Sequence, residues 1–78
     1  MEKIKVTCSD KPWLTSISID PYIKVVDTGI EYRIRRFDDT HDEECSPVVV
    51  ELSVAAFAAG PTVVKAEILA QLGCTEVV

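Results

Sequence analysis

A chain of 78 residues with 47% hydrophobic side chains and a mean hydropathy of +0.18 is too apolar for a disordered segment and too short for two cores, so residues 1–78 read as one compact domain. No apolar run approaches the roughly 18 residues that span a bilayer, and "MEKIKVTCSD" alternates charged and apolar residues where a secretory signal would be continuously apolar. A net charge of −5 and a pI near 4.6 argue against direct binding to nucleic-acid phosphates and favour a basic partner.

The expectation is a soluble, cytoplasmic protein. Cys8, Cys45 and Cys74 are odd in number and widely spaced, a usage that fits reduced thiols. The charge is uneven. Residues 1–37 hold seven Lys/Arg against five Asp/Glu, a balance of +2, while residues 38–78 hold one against eight, a balance of −7.

In chain order, "KIKVTC" sets Ile4, Val6 and Cys8 on one face of a strand and Lys3, Lys5 and Thr7 on the other. After the break at "SDKP", odd positions from Trp13 to Val26 are mostly apolar (Trp13, Ile17, Ile19, Ile23, Val25), with Pro21 demanding an edge or a bulge midway. "DTG", Asp27 to Gly29, is read as a turn whose glycine takes the left-handed conformation, leading into "IEYRIRRF" with Ile30, Tyr32 and Ile34 inward and Glu31, Arg33 and Arg35 outward. The two segments form an antiparallel hairpin. In "SPVVVELS", three consecutive valines favour a strand at Val48–Ser53 over a helix started by Ser46 and Pro47. "VAAFAAG" gives a helical turn stopped by Gly60 and Pro61. Thr62 then caps "VVKAEILAQLG", whose Val64, Ile68 and Leu72 fall on one face, with Leu69 beside them and Gly73 as the stop. The fold class is α+β: a small antiparallel sheet of three or four strands, with the C-terminal helix packed on one face and the other face solvated or covered by a partner.

"FDDTHDEEC", Phe37 to Cys45, concentrates the chemistry: five carboxylates, the single histidine and one cysteine in nine residues. A zinc site would join His41 and Cys45 to Cys8 or Cys74, but the close ligand pair that marks such sites is missing, and a calcium loop would need a central glycine. Cysteine catalysis is disfavoured because the carboxylates oppose a thiolate at Cys45. The expectation is therefore a non-enzymatic chain with no metal and no cofactor. Two readings of the stretch remain: a solvated connection, or an acidic epitope of Asp38, Asp39, Asp42, Glu43 and Glu44 that docks a basic protein surface. In either, the nearby carboxylates raise the His41 pKa.

Other features have structural alternatives. Trp13 is either an exposed partner-binding anchor or packing at the sheet margin. Arg33, Arg35 and Arg36, beside Tyr32 and Phe37, could meet a nucleic-acid strand, but in an anionic chain they serve better as internal partners of the acidic stretch. The pair of short helices around Gly60-Pro61 carries only Lys65 as a cation and so does not suit DNA. The terminal "TEVV" could enter a partner's sheet by strand addition.

In size, acidity, small α+β layout and want of a catalytic motif, the chain resembles the phage-encoded inhibitors of bacterial defence known as anti-CRISPR proteins. The resemblance is one of general character and implies a stoichiometric inhibitor that occupies a basic, even nucleic-acid-binding, surface of a CRISPR effector subunit. The competing expectation is a homo-oligomeric structural or adaptor subunit with no inhibitory role, a homodimer being one form, with Ala55, Ala56, Ala58 and Ala59 permitting close approach at the seam.

Overall fold

The computed structural model describes residues 3–77. Seven elements follow one another: β1 (Ile4–Cys8), β2 (Ser16–Val26), β3 (Gly29–Asp38), β4 (Glu43–Leu52), α1 (Val54–Ala58), α2 (Pro61–Leu72) and β5 (Cys74–Glu76). The strands make one sheet in the order β4-β3-β2-β1-β5, with every pairing antiparallel. The class is α+β, as expected, but the sheet has five strands where three or four were expected. The fifth is formed by "CTE" in the terminal stretch, three residues too short to show a period and recognisable only once β1 lies beside them.

Apolar alternation places the main core. Ile17 and Ile34 are fully buried on the face that receives α2, together with Ile30, Tyr32, Val50 and Leu52, and α2 contributes Val64, Ile68 and Leu69. Leu14, between β1 and β2, plugs the same core at 2% exposure. Trp13, assigned to the alternating face, lies outside it at 39% exposure. Pro21 falls where the β2–β3 register shifts between Ile19 and Ile23. There a missing N–H leaves no ladder position empty.

Three local expectations are corrected. Gly29 does not take a left-handed conformation. It is needed because β4 passes so close that a Cβ there would collide with the Leu52 carbonyl oxygen. Thr62 is not the cap of α2, since the helix begins at Pro61 with Gly60 as the N-cap, two residues before the expected cap. Gly73 does end it, in the left-handed conformation at φ 71°. Most consequential, Cys8 and Cys74 form a disulfide across the β1–β5 pair, leaving only Cys45 free. The wide spacing read as a sign of reduced thiols is the reach of a chain whose two ends pair in one sheet.

Candidate functional site

The acidic stretch forms the tip of the β3–β4 hairpin. Asp38 pairs with Glu43 as the last rung, and Asp42 N donates to the Asp39 carbonyl at 3.4 Å. Asp42 itself takes φ 52°, a left-handed conformation that short polar residues tolerate better than bulky ones.

Three of the five carboxylates are committed internally. Asp38 is 7% exposed, accepts the His41 backbone N–H at 3.2 Å, and accepts from His41 Nδ1 at 2.8 Å. Asp39 lies across the sheet from its own turn. It accepts from Ser16 Oγ at 2.7 Å, Thr15 Oγ1 at 2.9 Å and Lys3 Nζ at 3.1 Å, while its N–H donates to Thr15 Oγ1 at 2.8 Å. Glu44 holds Arg35 in a two-pronged pair, Nε to Oε2 at 2.8 Å and Nη2 to Oε1 at 2.7 Å. The side chains of Asp42 and Glu43 have no hydrogen bond or ion pair among the described residues.

The electrostatics follow from these bonds. The hydroxyl of Ser16, then Lys3 and Thr15, hold the Asp39 carboxyl down to about 2. The His41 hydrogen bond keeps Asp38 below its ordinary value, and Arg35 does the same for Glu44. Asp38 in turn raises the His41 imidazole above 6.5, the direction expected from the sequence. With Lys3 and Arg35 folded into the cluster, its outward field is much weaker than five carboxylates suggest. Sequence reasoning placed one of the arginines correctly as an internal partner, but missed Lys3, Thr15 and Ser16, which only the sheet order brings to Asp39.

The remaining sequence candidates fall elsewhere. Arg36 lies over the Trp13 ring, 5.4 Å from its centroid, and donates through Nε to the Ser46 carbonyl. Trp13 is thus half-exposed and supported at the sheet margin. Phe37 turns to the face opposite α2, where it sits opposite Ser16 with Lys3 4.0 Å above its ring. Among the described residues no group of three or more His, Cys, Asp or Glu side chains gathers as metal ligands, and the disulfide removes Cys8 and Cys74 from the zinc set considered above. Val77 N donates to Lys5 O, and Thr75 and Glu76 pair with β1. "TEVV" is therefore occupied in this chain's own sheet through Val77, and Val78 lies outside the described residues. No described helix is long and apolar enough to cross a membrane.

A second surface has no counterpart in the sequence reading. Among the described residues β1 pairs with β2 at Ser16 and Ile17, and the far end of β2, from Tyr22 to Val26, has β3 as its described neighbour. The exposed stretch carries Tyr22 at 85%, Ile23 at 39% and Val25 at 75% exposure, and Phe57 of α1 is also exposed. Beside it are two cavities that share Pro61. One, of about 320 Å³, is lined by Tyr32, Phe57, Gly60, Pro61 and Val64. The other, of about 530 Å³, has Lys3, Lys5 and Lys65 against Glu76, with Ile4 and Ile19 on its floor. No family model matches the chain, and neither a curated protein nor a solved structure is similar to it.

Proposed function

We propose that this chain is a non-catalytic, stoichiometric protein-binding module. One observation carries the reading: Tyr22, Ile23 and Val25 stand exposed at the far end of β2. Folding alone gives no reason to keep them in water, whereas a protein partner would cover them. The acidic hairpin tip plays the smaller part. Asp42 and Glu43 steer a partner with a basic rim, while Asp38, Asp39 and Glu44 hold the turn. Inhibition, the role that the anti-CRISPR resemblance implies, results if the covered surface is the one with which the partner works.

The test is affinity capture from a lysate of the source cells with the wild-type chain and with a Tyr22→Asp/Val25→Asp variant. Both substituted side chains are largely exposed, so the variant should fold. The reading expects a defined protein retained in 1:1 ratio by the wild type and bound at least tenfold more weakly by the variant. Equal binding by both refutes it. Reversing Asp42 and Glu43 to lysine should slow association and flatten its salt dependence, with a smaller effect on dissociation.

A further inference from the structure

We propose that the cavity between β3, α1 and α2 is a binding site for a small neutral aromatic molecule that carries one hydrogen-bond acceptor. The site lies apart from the acidic hairpin tip, and the inference does not rest on the binding-module reading.

The space has a cause in the sequence. α1 is five residues long and three of them are alanine, so Phe57 is its one large side chain towards α2. The chain then enters α2 through Gly60, which has no side chain to close the gap. A Cβ at Gly60 would find no atom within 4 Å beyond its chain neighbours. The cavity that results, about 320 Å³, is walled by Tyr32 of β3, Phe57 of α1, Gly60, and Pro61 and Val64 of α2. That lies at the small end of the roughly 300–1,000 Å³ typical of ligand sites.

Tyr32 points to the ligand. The residue is only 5% exposed, yet its hydroxyl has no hydrogen-bond partner among the described residues. Every described side-chain nitrogen or oxygen that is sealed from solvent has such a partner. The Tyr32 oxygen is therefore not sealed, and it opens where Tyr32 lines the cavity. A phenol in an apolar wall loses part of its hydration without gaining a protein partner, and a ligand acceptor makes good that loss. Burial also pushes the phenol above its ordinary 10, so the hydroxyl keeps its proton and acts as a donor.

The other walls select the body of the ligand. Phe57, Gly60, Pro61 and Val64 carry neither a charge nor a side-chain hydrogen-bonding group, so an ionised ligand would leave water with nothing to replace it. Two aromatic rings and a proline ring favour a flat aromatic body packed by offset or edge-to-face contact.

The probe is acetophenone, titrated into the 15N-labelled chain beside ethylbenzene, which has nearly the same shape but no acceptor, and benzoate, which is charged at neutral pH. Acetophenone should shift the amides of Tyr32, Phe57, Gly60 and Val64 and bind about threefold to tenfold more tightly than ethylbenzene. Benzoate should bind roughly tenfold more weakly than acetophenone, or not at all. Tyr32→Phe keeps the ring and should bring acetophenone down to the affinity of ethylbenzene while leaving ethylbenzene unchanged. Phe57→Ala, at a partly exposed side chain, should weaken both neutral probes by about twofold to tenfold. Absence of shifts at these amides overturns the proposal, as do shifts centred on the exposed Tyr22 and Val25 instead. Equal binding of acetophenone by the wild type and by Tyr32→Phe overturns it too. Should Tyr32→Phe not fold, the wild type decides: equal affinities for acetophenone and ethylbenzene overturn the site, and a preference for acetophenone with shifts confined to the cavity supports it.

Discussion

The Asp38–His41 pair shows how a charged turn is held together by its own residues. The histidine has a folded pKa above its ordinary 6.5, so its contribution to stability is complete below about 6.5 and disappears as pH rises through the folded value. The Asp38 carboxyl is depressed below 3.8; its contribution is complete above about 3.8 and disappears as pH falls through the folded value. The turn is accordingly held best between those limits. Asp38→Asn should return the imidazole pKa towards 6.5, which an NMR titration of the single His41 ring reads directly. An imidazole unmoved by the substitution would mean that Asp38 is not its partner in solution. Asp39 behaves as a brace: its carboxyl ties the turn to Thr15 and Ser16, and its low pKa keeps that tie in place into acid.

At the scale of elements, what the sequence reveals depends on how local the determining interaction is. The period-2 alternation of "KIKVTC" and "IEYRIRRF" was enough to assign β1 and β3 with the correct inward faces, and three valines decided β4 against a helix. Non-local effects were hidden. Gly29 reads as a turn glycine because its neighbours are Asp27 and Thr28, yet its requirement comes from Leu52, far along the chain. Ser16 and Ser18 look solvated but are buried at 1% exposure beneath the layer around Phe37. The acidic stretch reads as a free epitope because Lys3, Thr15 and Ser16 are remote in sequence. That Tyr22, Ile23 and Val25 stay exposed depends on what packs beside β2, which no pattern within β2 records. The main helix was legible, since Val64, Ile68 and Leu69 share its buried face. Ile68 is fully buried against both sheet and helix neighbours, so Ile68→Ala should destabilise the domain by about 2–5 kcal/mol. Urea unfolding would check this, and a loss below about 1 kcal/mol would show that α2 is not docked as described.

For the molecule as a whole, the governing contact joins the two ends of the fold. β5 docks on β1, and the Cys8–Cys74 bond closes a loop with a sequence separation of 66. On the chain-entropy account, a loop of that length contributes about 4 kcal/mol, a large fraction of what a small domain has in total. Replacing both cysteines by serine should lower the urea midpoint by the corresponding amount, and adding a reductant to the wild type should reproduce the effect. If neither does, the bond is not formed in solution. Cys45, on β4 at the opposite margin of the sheet, provides an internal control, since Cys45→Ser should leave the midpoint almost unchanged.

The same bond determines how the chain carries mechanical load. A pull applied at residues 1 and 78 is transmitted through Cys8 and Cys74, and everything between them is shielded while the bond lasts. Such a pull peels only the short terminal segments. On reduction the shield opens, and the enclosed chain can pay out to about 220–240 Å. The domain is thus a nearly inextensible link when oxidised and a long tether when reduced. The exposed end of β2 sits inside the protected loop, so its geometry is insulated from tension at the ends.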